Sequence, residues 1–118
     1  MQAVLEAVVE PRRREILRLV RVREATAGAI AAHFPDVSRP TVSQHLRVLR
    51  DAGLLHERRD GTRRLYRVRT EGFTEARAFF DEFWDSRLRA LKAEAEREQR
   101  RQDANREQRE RNEHGHRD

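Results

Sequence analysis

Apolar residues recur at helical spacing through most of the first 95 positions and switch to strand spacing once, just past the middle of the chain. Val4, Leu5, Val8 and Val9 predict a short amphipathic helix. Pro11 fits the first turn of a second helix, where a missing N–H costs little. Ile16, Leu17 and Val20 give that helix its apolar face, with Arg12, Arg13, Arg14 and Arg18 mostly outward. Thr26 is the expected N-cap of a third helix carrying Ala27, Ile30, Ala31 and Phe34, and Pro35 and Asp36 end it. Ser38 caps a fourth, Pro40 sits in its first turn, and Val42, Leu46 and Leu49 form the buried stripe. Gly53 stands where a helix stop uses positive φ.

The period then shortens. Residues 55–59 and 63–68 read as two short strands around Asp60-Gly61, a strong hairpin signal. Helical spacing returns from Thr70, with Phe73, Ala76, Phe79, Phe80, Phe83 and Trp84 as an aromatic stripe extended by Leu88, Leu91 and Ala95. Beyond Ala95 apolar residues nearly vanish. Residues 96–118 have no face to bury and read as a charged, frayed or disordered tail, with 1–95 as the folded domain.

Composition narrows what this framework can do. With 36% hydrophobic and 40% charged residues, a large enclosed active-site cavity is not expected. The absence of cysteine excludes a disulfide scaffold, a Cys-ligated zinc site and a thiol switch. No run approaches the roughly 20 apolar residues of a membrane span, and no leader pattern opens the chain, so a cytoplasmic protein without membrane contact is expected. Charge is concentrated: residues 38–69 hold nine arginines against Asp51, Glu57 and Asp60, a local net of +6, while residues 92–118 balance eight bases with eight acids. The overall excess of +5 is therefore accounted for by the fourth helix and the hairpin, and such a concentrated field attracts a polyanion.

The third and fourth helices, joined by the short Pro35–Val37 connection, have helix-turn-helix spacing, whose second helix enters the DNA major groove. Ser38, Arg39, Pro40, Thr41, Ser43, Gln44 and Arg47 are the candidate contacts. Arg39 can pair with guanine and Gln44 with adenine, each bidentately, Thr41 and Ser43 can bond phosphate or base edges, and Pro40 can touch a thymine methyl. Arg58, Arg59, Arg63 and Arg64 on one short ribbon suit phosphate or a narrow minor groove. A chain this small cannot easily bury both Val4, Leu5 and Val8 and the stripe of Phe79, Phe83, Trp84, Leu88 and Leu91, so two copies exchanging these faces are expected. No enzymatic framework is visible: there is no Gly-rich phosphate loop, and Ser43 and His45 lie two apart on a helix and do not face one another.

The order of these segments, with EPRRREIL, SRPTVSQHLRVLRDAGLL and RRDGTRRLYRV, resembles the ArsR-type winged helix-turn-helix regulators over roughly residues 1–95. The resemblance implies a mainly α fold with a small β-hairpin in the order ααααββα, and a homodimer through the first and last helices. It implies a repressor of a pseudo-palindromic operator in double-stranded DNA, with Arg39, Thr41, Ser43 and Gln44 at reading positions and 58–64 as the wing. Thiol-sensing members carry Cys-x-Cys before the reading helix. The corresponding Glu24–Gly28 region has neither Cys nor His, and Asp81, Glu82 and Asp85 have no histidine near them in sequence. The chain thus resembles the branch without a metal inducer, needing no cofactor; His114-x-His116 is at most a weak metal site. A nonspecific nucleic-acid binder and a winged-helix docking module remain as alternatives.

Overall fold

A computed structural model describes residues 1–115. The chain divides into two units, Met1–Ala78 and the part from Phe79 onward. The first unit opens with α1 (Gln2–Val9) and α2 (Pro11–Leu19). Glu10 caps α2 by accepting from the Arg13 backbone N–H at 2.9 Å, with Pro11 entering the first turn. Arg13 and Arg14 do not simply project outward as expected. Arg13 Nε donates to the Ala7 carbonyl at 2.8 Å, and Arg14 Nη1 donates to the Val8 and Val9 carbonyls at 2.8 and 2.9 Å. The last turn of a helix leaves its carbonyls without partners; here the run of arginines after Pro11 supplies the donors.

A two-residue strand, β1 (Ala25–Thr26), leads into α3 (Ala27–Ala32), whose first turn is capped by the Thr26 hydroxyl accepting from Ala29 N at 3.0 Å. After a short turn, α4 (Arg39–Asp51) begins on the Ser38 cap and buries Val42, Leu46 and Leu49. It ends in a Schellman arrangement: Gly53 at φ +78°, Gly53 N donating to the Arg50 carbonyl at 2.9 Å and Leu54 N to the Leu49 carbonyl at 3.0 Å. Leu49 and Leu54, which flank that turn, are both fully buried.

β2 (Leu55–Asp60) and β3 (Arg63–Val68) form the expected hairpin, with Gly61 at φ +63° in its two-residue turn. The sheet has three strands in the order β1-β3-β2, all antiparallel, where two were expected. The third was hidden because two residues carry no readable alternation and Thr26 is also a helix cap. A 3-10 turn (Thr70–Phe73) then leads into α5 (Thr74–Gly115). The core of the first unit gathers Ile16, Val20, Ile30, Leu49 and Leu54, each fully buried, with Tyr66 and Ala76 at its edge. Each large aliphatic side chain buried there contributes about 1.5–3 kcal/mol.

From Phe79 to Gly115 α5 is one continuous helix, differing from the frayed or disordered tail expected after Ala95. Local pairs hold it there: Arg101–Glu98 at 2.7 Å, Arg111–Glu107 at 3.8 Å and Gln99–Asp103 at 3.1 Å, spacings that support helix without a buried face. Residues 116–118, with His116 of the His114-x-His116 pair, lie outside the described residues. No described helix is long and apolar enough to cross a membrane.

Candidate nucleic-acid interface

Helix α4 turns Val42, Leu46 and Leu49 inward, which fixes the opposite face. Arg39, Pro40, Thr41, Ser43, Gln44 and Arg47 are all exposed on it, as is the cap Ser38. Ser38 Oγ accepts from Thr41 N at 3.3 Å and lies 2.8 Å from Thr41 Oγ1, so these two hydroxyls are engaged in closing the helix start. Ser43, Gln44 and Arg47 are free of such duties and extend the polar face by one more turn.

The hairpin register sorts its arginines onto two faces. Residues directly opposite share a face, so Glu57, Arg59, Arg64 and Tyr66 stand on one side and His56, Arg58, Leu65 and Arg67 on the other. Tyr66 is buried in the core. Its side of the hairpin therefore meets α4, where Ser43, Arg47, Arg50, Arg64 and Tyr66 line a cleft of about 350 Å³. A second concavity of about 460 Å³ lies between the start of α3, Arg39 and the hairpin tip at Thr62 and Arg63.

Acid partners divide the four wing arginines further. Arg58 forms a two-pronged pair with Glu24 on the outer face, with Arg58 Nε donating at 2.9 Å. That hydrogen bond lowers the Glu24 carboxyl below its ordinary range and raises the Arg58 guanidinium. Arg63 donates to Asp60 at 2.9 Å across the turn. Among the described residues Arg39, Arg47 and Arg59 make no ion pair, which leaves them available to an outside anion. Two residues that sequence reasoning did not place in the site belong to it. Arg50 lines the cleft, and Glu57 accepts from Arg50 Nη1 at 2.8 Å while lying 3.5 Å from Arg64 Nε. Only the hairpin register, paired with the Leu46–Leu49 face of α4, exposes that grouping.

His45 is half-buried on α4, with a buried Nδ1 that has no hydrogen-bond partner among the described residues. Burial pushes its pKa below the ordinary 6.5, the Glu10 carboxylate opposes that, and Arg13 and Arg12 reinforce it. Burial would raise Glu10, but hydrogen bonds from the Arg13 and Arg12 backbones and the nearby charges bring it down.

Of the expected partner-facing residues, Val4 is turned into the core at 8% exposure and Leu5 and Val8 are half-buried. The aromatic stripe on α5 is open: Phe83 and Trp84 are each 63% exposed, and Phe79, Leu88 and Leu91 are also exposed. Phe79 stacks edge-on with Phe83 at 5.1 Å between ring centroids, so the exposed rings are already ordered against each other.

Known proteins share both sequence and fold with this chain. A helix-turn-helix domain family matches residues 8–58, which takes in α2 to the middle of β2. The transcriptional repressor SdpR of Bacillus subtilis is 39% identical over 70 residues, 59% of this chain and 77% of SdpR. A crystal structure of a possible transcriptional regulator for arsenical resistance is 47% identical, with a TM-score of 0.62, over 76% of this chain and 93% of that one. A solution structure from Mycobacterium bovis, described as a homodimeric winged helix-turn-helix DNA-binding domain of a possible ArsR-family transcriptional regulator, is 32% identical, with a TM-score of 0.56, over 74% of this chain and 80% of that fragment. The chain belongs to the ArsR family of transcriptional regulators. In this ArsR-family chain α3 and α4 are the helix-turn-helix, and β2 and β3 are the wing. Among its described residues, no group of three or more His, Cys, Asp or Glu side chains comes together as a metal site would require.

Proposed function

We propose that this ArsR-family chain is a homodimeric repressor that reads double-stranded DNA and needs no metal inducer. One observation carries the reading: Ser43, Arg47 and Arg50 of α4 and Arg64 and Tyr66 of the wing line one cleft, with Arg59 opposite Arg64 in the register. In the major groove Gln44 and Arg39 read base edges, Ser43 and Arg47 meet base edges or phosphate, and the wing follows the backbone. Residues 1–95 form the DNA-binding and dimerisation domain, and the charged helical stretch 96–115 extends beyond it. The proposed dimer contacts are Leu5 and Val8 on α1 and, separately, Phe79, Phe83, Trp84, Leu88 and Leu91 on α5; the exposed aromatic stripe and the homodimeric M. bovis domain support them. Burying rings of that size contributes about 1.5–3 kcal/mol each. Repression is the activity named for SdpR, and blocking access to a promoter is the simplest way for a bound dimer to exert it.

The test separates base reading from backbone attraction. Charge reversal of Arg58, Arg59, Arg63 and Arg64 is expected to weaken binding to every duplex alike, whereas Gln44→Ala changes which bases are preferred. Parallel losses on all sequences from Gln44→Ala would instead favour a nonspecific nucleic-acid binder, and regulation that survives the charge reversal would favour a docking module.

A further inference from the structure

The cleft between α4 and the wing contains a conflict of like charges. Arg47, Arg50 and Arg64 all line it, and Arg59 stands directly across the ladder from Arg64. Like charges opposite each other on a sheet repel. Asp51 lies 3.4 Å from Arg50 Nη2 on α4 itself, and the acid that reaches across to the wing is Glu57, opposite Tyr66 in the register, with a side chain only 17% exposed. One of its carboxylate oxygens accepts from Arg50 Nη1 at 2.8 Å, and the other lies 3.5 Å from Arg64 Nε. A single carboxylate therefore ties the last turn of the reading helix to the inner strand of the wing through two guanidinium groups.

We propose that Glu57 is a specificity-determining positioning residue, whose carboxylate holds Arg50 and Arg64 in one geometry so that the duplex meets a fixed pair of donors. The inference rests on the DNA-reading function proposed above. A held guanidinium has less side-chain freedom to lose on binding and accepts only a partner in the right place, whereas a released one pairs with any phosphate in reach. The carboxylate also reduces the attraction of the surface for polyanions in general. Glu57 thus gives up nonspecific affinity for discrimination, and its removal moves the two quantities in opposite directions. Structural damage would lower both.

The experiment uses the full chain and two duplexes, the best one recovered by selection and its scrambled counterpart, across a salt series. Glu57→Gln is expected to bind the scrambled duplex several-fold more tightly, to steepen the salt dependence by about one ion, and to lower the ratio of the two affinities about tenfold. Glu15→Gln on α2 removes the same charge away from the cleft and is expected to keep the ratio. Adding Glu57→Gln to a chain already carrying Arg50→Gln and Arg64→Gln should change the ratio no further. An unchanged ratio in Glu57→Gln, a parallel fall on both duplexes, or an equal effect of Glu15→Gln overturns the positioning role. Should Glu57→Gln fail to fold by circular dichroism, the Arg50→Gln/Arg64→Gln chain decides alone, and a wild-type ratio there overturns it. A wild-type chain with no preference between the duplexes overturns the base-reading function, and the positioning role with it.

Discussion

At Gly72 a Cβ atom would lie 2.1 Å from the Gly53 carbonyl oxygen and 2.8 Å from its carbon. The 3-10 turn therefore packs backbone against backbone on the Schellman turn that ends the reading helix. Arg69 reinforces the contact by donating Nη1 to the Gly53 carbonyl at 3.2 Å and its backbone N–H to Leu54 at 2.9 Å. Gly72→Ala should destabilise the chain by about 2 kcal/mol or more, read as a lower urea midpoint with an unchanged slope; a wild-type midpoint would show that the two turns do not need this approach. Gly53 was legible in the sequence because it follows a helical stripe, while Gly72 was not, since its reason lies nineteen residues away. His45 gives a second prediction. Burial depresses its folded pKa, so the unfolded chain binds the proton more readily. The stabilisation is complete above the unfolded value near 6.5 and is lost as pH falls toward the folded value. The drop in melting temperature between pH 7.5 and 5.5, a window that spares the carboxylates, should shrink in His45→Gln; an equal drop in both proteins would assign the effect elsewhere.

At the scale of elements, the hairpin shows how register divides a uniform run of charge. The sequence presents Arg58, Arg59, Arg63 and Arg64 as four equivalent cations. The pairing of Glu57 with Tyr66 places Arg59 and Arg64 on the side of α4, and Arg58 opposite with Glu24 as its partner. Arg59→Ala should therefore lower the salt dependence of DNA binding by about one ion, and Arg58→Ala should leave it nearly unchanged. Equal slopes for the two would mean that the duplex contacts both faces of the wing. The four core helices and the hairpin were readable because each has a periodic apolar face and a cap or turn residue at its end. The strand β1, two residues long, has no period, and its pairing with Tyr66 and Leu65 depends on chain about forty residues away. The capping of α1 by Arg13 and Arg14 was hidden for a related reason: an arginine's length lets it serve a neighbouring helix that spacing alone does not identify.

At the scale of the molecule, composition and hydropathy located both the basic surface and the long apolar stripe, but they did not distinguish a face that covers its own core from one left open. Val4 illustrates the difference, since it shares the spacing of Leu5 and Val8 yet lies in the core. The stripe from Phe79 to Leu91 stays exposed on α5, and the second copy proposed to cover it would make a two-fold dimer. On the proposed function, a two-fold dimer is expected to meet half-sites about 10–10.5 bp apart, or a multiple of that. The measurement that tests this account most directly is selection of bound fragments from a random duplex library, with the full chain at about 150 mM salt, a range where nonspecific binding is weakened, and no added metal. Enrichment of one inverted repeat with that spacing is expected. Recovery of fragments sharing no sequence, or recovery only after a metal ion is supplied, would contradict it.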